Sequence, residues 1–388
     1  SERKYMETIS FVIINWNTKE LLEKCILAVY SSTNTPNIIV TDNGSIDGSS
    51  GMVKNKFPKV RLIANSSNLG FGAAVNQAIK SIKTKYILIL NTDTVINKQA
   101  VERMAAFMES NPNAGLCTPI LLREDGSVQD TFGPYPSLLT EIIGRPLLRG
   151  LLPNRFTPHT VNALKPKKTA VIRGACLMAR RIALEDVGGF DERYFLFFEE
   201  TDLCFKMNRR GYGIWCLPDI NVYHMSGRSV DTEIASARIE YWRSRYIFFR
   251  TYYPLWKVFI LRLVLMAKLL IDWILNFVGS IHRLCRQKLR TYSIIIIWHI
   301  LGCPVNWGIK DFRIGVYFKR ILIIKLSSFG DIIQGLPVGA VLHRRFPGVK
   351  ITWILNQQYK QIAEFASDID KVIPFQRKRW GKIVNLFN

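Results

Sequence analysis

The chain has 388 residues, which exceeds one ordinary domain and predicts two or three folded units. Hydrophobic residues make up 48% of it and aromatic residues 12%, which excludes a largely disordered chain. The 53 Lys and Arg against 30 Asp and Glu give a net charge of +23, which suits an anionic partner such as a membrane face, a phosphorylated substrate or nucleic acid.

The seven cysteines are scattered as singletons without CxxC spacing, and an odd number fits a disulfide framework poorly. We therefore expect reduced thiols in a cytoplasmic protein. The first seven residues are polar and lead into a short apolar run, so no secretory signal peptide is predicted.

The first ninety residues alternate apolar, β-branched runs with segments of helical spacing. Strands are predicted at residues 9–14, 38–41, 60–64 and 86–90, and helices at residues 21–30 and 73–82. Strands separated by helices of this length form parallel βαβ units, whose ligands bind at the carboxyl ends of the strands. Polar residues follow three of these strands, at positions 15–17, 42–45 and 91–93, so we expect a binding site there.

The middle of the chain begins with residues 130–168, which are rich in Pro, Gly and Leu and lack periodicity. This composition indicates a loop or lid beside an active site. Order returns at residues 169–179, a helix is predicted at residues 200–210, and two short strands are predicted near Ile214 and Val222.

Residues 256–286 are strongly apolar, but charges interrupt them, and the longest uncharged run is too short to span a bilayer. On a helical wheel, the charged and polar residues fill one half-turn and large apolar residues fill the other. This pattern is typical of a helix that lies in the plane of a membrane with a basic polar face. The alternative is a helix packed into the core of the enzyme.

After Gly308 a new pattern predicts a strand at residues 320–325, a helix at 330–346 and a strand at 349–355. We interpret this region as a separate small α/β unit.

The triplet Asn91-Thr92-Asp93 ends an apolar strand. A carboxylate at this point can hold Mg²⁺ or Mn²⁺, and the ion can bridge the two phosphates of a nucleotide sugar. Alternatively, Asp93 caps the next helix. Gly70 and Gly72 flank Phe71 at the start of a predicted helix, where they allow a phosphate to approach the backbone.

Further motifs follow in a fixed order along the first 229 residues. They are Thr41–Ser49, Asn68–Asn76, Asn91–Asp93, Gly188–Glu192, Phe198–Leu203 and Tyr223–His224. In this order they resemble the inverting nucleotide-sugar glycosyltransferases of the GT-A fold, especially the bacterial rhamnosyltransferase-like branch.

This resemblance implies roles for the residues on the donor side. Asp42 corresponds to the carboxylate that recognises the nucleotide base, with Asn17 and Asn43 beside it. The triplet at 91–93 corresponds to the DxD metal motif, although Asn91 stands in place of its first Asp. Asp93 is then the main metal carboxylate, and His224 is the second metal ligand. The alternative is that His224 is a buried histidine whose hydrogen bonds are made within the protein.

On the acceptor side, the segment from Phe198 corresponds to the acidic EDxDL motif, in which a carboxylate removes the proton of the acceptor hydroxyl. Glu200 stands where the family has Asp and is the predicted base, with Glu199 as the alternative. Asp202 is expected to bind the acceptor or to orient its neighbours. Arg173 and Gly174 correspond to a segment beside the acceptor. A helix N-terminus stabilised by acidic residues is compatible with these roles.

Residues 319–380 resemble the start of the lipopolysaccharide heptosyltransferases, which have the two-domain GT-B fold. Asp331 corresponds to their acidic acceptor-side residue. Their donor-binding second domain has no counterpart in this sequence, so we expect no second transferase activity here.

We therefore predict an α/β protein with a GT-A glycosyltransferase domain at 1–254, an amphipathic membrane-associating segment at 255–309 and a partial heptosyltransferase-like α/β unit at 310–388. The resemblance implies Mg²⁺- or Mn²⁺-dependent inverting transfer of a sugar from a dTDP- or UDP-linked donor, with dTDP-rhamnose as the leading candidate. The expected acceptor is a lipid-linked, lipopolysaccharide or O-antigen glycan.

The basic amphipathic segment places the enzyme peripherally on the anionic cytoplasmic face of the bacterial inner membrane. Nucleic acid is not an expected partner, because no recognised binding module is present. The alternative function is a non-catalytic, transferase-like scaffold that binds a glycan or a partner enzyme.

Overall fold

The structure is a computed structural model. It describes residues 8–33, 35–144, 147–148, 150, 165–225, 234–279, 283–304, 307, 320–324, 350–361 and 369–375. The chain forms two compact units, residues 1–310 and residues 311–388. The first unit therefore contains both the predicted transferase domain and the predicted amphipathic segment.

A large mixed β-sheet forms the centre of the first unit. Its strands are β1 (Ile9–Asn15), β2 (Asn37–Asp42), β3 (Arg61–Ala64), β4 (Tyr86–Asn91), β5 (Thr94–Val95), β6 (Ala114–Leu122), β8 (Lys167–Lys168), β10 (Cys176–Arg180) and β11 (Gly213–His224). A separate two-stranded sheet consists of β7 (Phe132–Gly133) and β9 (Val171–Ile172). The order in the large sheet is β3-β2-β1-β4-β10-β6-β11-β5, and β8 pairs with β11.

The first four strands are parallel to one another, as the alternation of strands and helices predicts. β10 runs antiparallel to both β4 and β6, and β6 is parallel to β11. The carboxyl ends of β1, β2 and β4 therefore lie at one edge, where the polar residues after each strand come together.

Helices cover the sheet or pack beside it. They are α1 (Lys19–Ser32), α2 (Ser49–Lys56), α3 (Phe71–Ile79), α4 (Lys98–Ser110), α5 (Leu138–Ile143), α6 (Arg181–Asp186), α7 (Glu199–Arg209), α8 (Ile234–Tyr252), α9 (Leu255–Val278) and α10 (Arg283–Ile300). The strands and helices predicted in the first ninety residues are confirmed within three residues at each end.

Each face of the sheet has its own hydrophobic core because side chains alternate along a strand. On β4, Leu88 and Leu90 pack into one core and Ile87 and Ile89 pack into the other. All four are fully buried, which explains why this strand is an unbroken apolar run.

Two predictions of secondary structure need correction. The strands predicted near Ile214 and Val222 form the single strand β11, whose register against β6 shifts between Leu217 and Asn221. Pro218 lies in this shift and has no N–H to donate to the ladder. The region predicted as a loop at 130–168 contains α5, which Ser137 and Thr140 begin with a capping box. Residues 151–164 lie outside the described part.

The helices α8, α9 and α10 build a third core. Phe248, Phe249, Leu261, Leu265 and Trp298 are among its buried members. Among the described residues, no helix combines the length and the apolarity needed to cross a membrane.

Helix α9 turns its charged half toward the protein. Val258, Leu261, Leu265 and Leu269 are buried, and they lie on the same half of the helical wheel as the charged residues. Lys268 Nζ donates to the backbone oxygen of Glu141 on α5 at 2.5 Å. Large apolar residues of the opposite half are exposed. They are Trp256, Phe259, Leu263, Leu270, Ile274, Phe277 and Val278. We call this set the α9 apolar face.

The second unit contains a parallel sheet in the order β12 (Arg320–Ile324), β13 (Lys350–Asn356) and β14 (Lys371–Phe375), followed after β13 by a 3₁₀ turn at Gln357–Tyr359. Trp353 and Leu355 are buried on one face of β13. The two predicted strands are thus confirmed. The helix predicted at 330–346 and Asp331 lie outside the described residues.

Candidate active site

Two adjoining cavities open at the carboxyl edge of the first unit's sheet. The smaller has a volume of about 150 Å³ and the larger about 680 Å³. Four residues line both cavities: Phe71, Asn91, Asp93 and Leu196. The two spaces therefore form one cleft, with these four side chains at the junction.

Asn43 lines the smaller cavity, whereas Asp42 lies behind it. The buried Asp42 carboxylate accepts hydrogen bonds from Asn15 Nδ2 at 2.6 Å and from the hydroxyls of Ser45 and Ser50 at 2.5 and 2.6 Å. Asp42 thus holds the loop after β2 in place, and its oxygens are already paired.

Asn17 and Asn43 hold loops beside the smaller cavity, although only Asn43 lines it. Asn17 has a left-handed backbone with φ of 50°, and its Oδ1 accepts from the backbone N–H of Ile46 at 2.8 Å. Asn43 Nδ2 donates to the backbone oxygen of Gly70 at 3.1 Å. These bonds join the loops after β1, β2 and β3 around one space.

Gly70 is required by a close approach of two backbones. A Cβ at Gly70 would lie 2.5 Å from the backbone oxygen of Phe195, and the φ of Gly70 is +90°. The N–H of Phe71 donates to that same oxygen at 3.1 Å. Gly72 packs against the Phe190 side chain and does not line either cavity.

Asp93, at the junction, lies beside His224, which lines the larger cavity. Asp93 Oδ1 is 3.2 Å from His224 Nε2, and both side chains are largely buried. The pair forms because β5 follows Asp93 directly and pairs with the end of β11, so that His224 lies opposite Thr94. Asn91 also lines the junction.

This pair suits a divalent ion. Oxygen and imidazole nitrogen ligands sit about 2.0–2.2 Å from such ions, so two adjacent ligands on one ion are about 3 Å apart. Within the described residues, no group of three or more His, Cys, Asp and Glu side chains could hold a metal. Mg²⁺ commonly takes only one or two carboxylates from a protein and completes its ligands with substrate phosphates and water.

Glu199 and Glu200 line the larger cavity from the first turn of α7. Glu199 is 3% exposed, and its Oε2 has no hydrogen-bond partner. Glu200 Oε1 accepts from the N–H of Gly174 at 3.0 Å. Burial raises the pKa of both carboxyls, and the charge of Glu200 raises the pKa of Glu199 further. Such groups hold protons more readily than exposed glutamates do.

Backbone strain precedes these acids. Phe197 and Phe198 have φ of 67° and 68°, a left-handed conformation that bulky residues rarely adopt. Strain of this kind costs about 1–3 kcal/mol per residue and is concentrated at functional sites. Here it turns the chain sharply into α7, so that Glu199 and Glu200 face the cavity.

Asp202 lies away from the described cavity walls. It is fully buried and accepts from Tyr252 Oη at 2.6 Å and from Tyr194 Oη at 3.4 Å, and Lys206 Nζ is 3.4 Å away. These contacts tie α7 to α8, so the geometry favours the orienting role over acceptor binding.

Arg173 and Gly174 line the larger cavity opposite α7. Arg173 is exposed and lies 3.8 Å from Asp130. Gly174 approaches Glu200 so closely that a Cβ would stand 2.3 Å from Glu200 Oε1. The role of Gly174 is therefore to make room for Glu200 and to donate one hydrogen bond to it.

The motifs did not indicate several residues of the cleft. Gln129 bonds the ring of His224, and Leu196 lines both cavities. Glu141 lines the larger cavity and pairs with Arg245 at 3.1 Å. The aromatic run before Glu199 could have predicted that Leu196 lies at the site. No pattern in the sequence indicates a role for Gln129.

Residues 10–188 match the profile of the family named Glycosyl transferase family 2. This region is a family 2 glycosyltransferase domain. The α/β sheet is that of the predicted GT-A fold, and the chain is a glycosyltransferase, which sets aside the non-catalytic scaffold.

The chain is 27% identical over 300 residues to the N-acetylglucosaminyl-diphospho-decaprenol L-rhamnosyltransferase of Mycobacterium tuberculosis, covering 73% of this chain and 97% of that protein. It is 35% identical over 63 residues to lipopolysaccharide heptosyltransferase 1 of Escherichia coli, covering 16% of this chain and 20% of that enzyme. The resemblance to heptosyltransferases is therefore a short partial match.

Among solved structures, a mannosyltransferase of Pyrobaculum calidifontis in complex with GDP-Man and Mn²⁺ aligns with a TM-score of 0.46 and 13% identity, covering 76% of this chain and 86% of that one.

Proposed function

We propose that this glycosyltransferase moves a sugar, with inversion, from a nucleoside diphosphate to an acceptor hydroxyl in a metal-dependent reaction. One observation carries the proposal. A single cleft presents Asp93 at the junction of the two cavities with His224 beside it, and the buried Glu199 and half-buried Glu200 of α7 in the larger cavity. The donor then lies across the junction, and the acceptor occupies the larger cavity.

Asp93 and His224 would hold the divalent ion. When bound, Mg²⁺ or Mn²⁺ offsets the negative charge that builds on the leaving diphosphate. Asn91 is neutral, so Asp93 supplies the only carboxylate among the three residues of this triplet. The phosphates of the donor complete the charge balance of the site.

Glu200 is the proposed base. The acceptor oxygen attacks the anomeric carbon, the bond from that carbon to the diphosphate oxygen breaks with its electron pair, and the acceptor proton passes to Glu200. The N–H of Gly174 fixes one oxygen of Glu200, which leaves the other to receive the proton. Burial raises the pKa of Glu200, which makes its carboxylate a stronger base. Glu199 is the alternative base, since its Oε2 is unpaired.

The proposed donor is dTDP-rhamnose and the proposed acceptor is a lipid-linked or lipopolysaccharide glycan. The mycobacterial relative is named as an N-acetylglucosaminyl-diphospho-decaprenol L-rhamnosyltransferase, which supports rhamnose as the sugar and a lipid-linked glycan as the acceptor. Phe71 and Leu196 provide an apolar surface at the junction, which suits the methyl group of a 6-deoxy sugar.

We further propose that the enzyme binds the cytoplasmic face of the bacterial inner membrane through the α9 apolar face. Residues 255–309 contain seven Lys and Arg but only one acidic residue, Asp272. The exposed apolar side chains match the membrane-facing half of an interfacial helix, and the net positive charge of the segment favours anionic lipid. Helix α9 contacts α5, which contributes Thr140 and Glu141 to the larger cavity, so a lipid-linked acceptor would reach the site from the same side.

The decisive experiment measures sugar transfer and donor hydrolysis with a panel of nucleotide sugars, with and without Mn²⁺. Asp93→Ala should abolish the metal-dependent part of donor binding. Glu200→Gln should reduce turnover by about 10²- to 10⁴-fold and leave donor affinity unchanged. Metal-independent turnover in the unmodified enzyme would refute the metal role. An active Glu200→Gln beside an inactive Glu199→Gln would assign the base to Glu199.

A further inference from the structure

Gln129 bonds the same histidine at two points. Its side-chain Nε2 donates to the backbone oxygen of His224 at 2.6 Å, and its Oε1 lies 2.9 Å from His224 Nδ1. Gln129 is 8% exposed, and its own N–H donates to the backbone oxygen of Leu121 on β6 at 2.8 Å. Its amide is therefore held firmly beside the imidazole.

These contacts fix the orientation of the amide. A backbone oxygen can only accept hydrogen bonds, so the Gln129 atom that faces it must be the NH₂ group. Oε1 then faces His224 Nδ1. Because Oε1 can only accept, Nδ1 must carry the hydrogen.

A neutral His224 with its hydrogen on Nδ1 presents a lone pair at Nε2. That lone pair faces Asp93 Oδ1 at 3.2 Å. Two acceptors opposite each other repel, and a cation between them reverses the sign of the interaction. Hydrogen bonds to the far nitrogen of an imidazole orient many metal-bound histidines in this way.

We infer that Gln129 is a positioning residue for the metal site. It holds the His224 ring in the Nδ1–H form, so that Nε2 is the ligand atom beside Asp93. This inference rests on the proposed metal-dependent transfer, and Gln129 acts through His224.

The first test uses the unmodified, metal-free protein. Long-range ¹H–¹⁵N NMR correlations at alkaline pH report which ring nitrogen carries the hydrogen, and the His224 signals are those absent from His224→Ala. We expect the hydrogen on Nδ1. A hydrogen on Nε2, donated to Asp93, would overturn the inference without reference to any Gln129 variant.

The second test measures Mn²⁺ affinity by electron paramagnetic resonance in the presence of dTDP. Gln129→Met keeps the length of the side chain and removes both hydrogen bonds, and we expect Mn²⁺ affinity to fall by about 10- to 100-fold. Gln77→Met is the matched control, because Gln77 is also bonded through its amide, to Asn65, and should leave the affinity unchanged.

Gln129→Glu separates positioning from a general structural role. A carboxylate still accepts from Nδ1 but cannot donate to the backbone oxygen of His224. We therefore expect Gln129→Glu to retain more Mn²⁺ affinity than Gln129→Met does. Equal losses in the two variants, or no loss in Gln129→Met, would refute positioning through the ring.

Asp93→Ala, measured in the same assay, distinguishes an error in the proposed metal site from an error in the role of Gln129. If Asp93→Ala binds Mn²⁺ as well as the unmodified protein, the proposed metal site itself is wrong. If Asp93→Ala loses Mn²⁺ and Gln129→Met does not, only the role of Gln129 is wrong.

Discussion

Gly174→Ala should separate catalysis from folding. The added Cβ would lie 2.3 Å from Glu200 Oε1 and 2.7 Å from Glu200 Cγ. The backbone of Gly174 is not left-handed, so alanine can adopt it without strain. The side chain of Glu200 must therefore move away, and its hydrogen bond from the N–H of residue 174 breaks.

The size of the effect follows from these distances. Carbon–oxygen contacts are ordinarily about 3.3–3.6 Å, so the carboxylate must retreat by roughly 1 Å. A misplacement of that size costs about 10²-fold in rate. The lost hydrogen bond, worth about 1.5–3 kcal/mol for a charged acceptor, corresponds to about 10- to 150-fold. Both routes give a fall in kcat of about 10²-fold.

The assay compares kcat, donor affinity and thermal stability. Donor and Mn²⁺ affinity should stay unchanged, because the atoms nearest to the added Cβ all belong to Glu200. Gly51→Ala is the control: Gly51 lies in α2 with no atom within 4 Å of a Cβ, and alanine there should be neutral or stabilise by about 0.5–1 kcal/mol. A Gly174→Ala enzyme with normal kcat would refute the assignment of Glu200 as the base.

Three further predictions concern stability and membrane binding. Burial raises the pKa of Glu199, so the folded state binds a proton at this carboxyl more tightly than the unfolded chain does. The free energy of unfolding should therefore fall as the pH rises above the ordinary glutamate pKa near 4.3. Glu199→Gln should reduce this pH dependence in thermal melts. Tyr252→Phe should cost about 1.5–3 kcal/mol in urea unfolding, since Asp202 loses its 2.6 Å bond, whereas the exposed Tyr223→Phe should cost nothing measurable. Ile274→Glu should weaken binding to anionic vesicles by about 10- to 100-fold, and the equally exposed Ile182→Glu on α6 should not; equal losses would exclude the α9 apolar face.

The strands of the first unit could be predicted because each is a short, buried, β-branched run. The same runs place polar residues at the sheet edge, so Asn91 and Asp93 were expected to lie there. The partnership of Asp93 with His224 came from resemblance, since the two residues are 131 positions apart in the sequence and the pairing of β5 with β11 leaves no local signal. That pairing is a tertiary contact between a two-residue strand and the end of a long one.

Gln129 marks the limit of prediction from this sequence. It lies in a stretch without periodicity, and its bonds reach a residue 95 positions away. The role of an isolated glutamine cannot be predicted from sequence spacing, because its hydrogen bonds depend on where the fold places the backbone and ring of His224.

Helix α9 shows a different limit. The wheel correctly separated a charged half from an apolar half, but it cannot tell which half faces the protein. The charged half packs inward because its cations have partners on the protein. Lys268 donates to the backbone oxygen of Glu141, and Arg262 stacks 5.0 Å from the centre of the Tyr246 ring. The buried leucines lie between these polar anchors, so one helix has two apolar surfaces, one of them exposed.

The departure of Glu200 from the Asp of the resembled motif has a structural counterpart across the cleft. Glutamate is one methylene longer than aspartate, and its extra length needs room on the opposite wall. Gly174 supplies that room, because the position its side chain would take is 2.7 Å from Glu200 Cγ. Two residues therefore have to be considered together: the longer acid reaches a backbone N–H that only a glycine brings close enough. The left-handed backbone at Phe197 and Phe198 directs Glu200 toward Gly174, and strain of this kind is concentrated at functional sites.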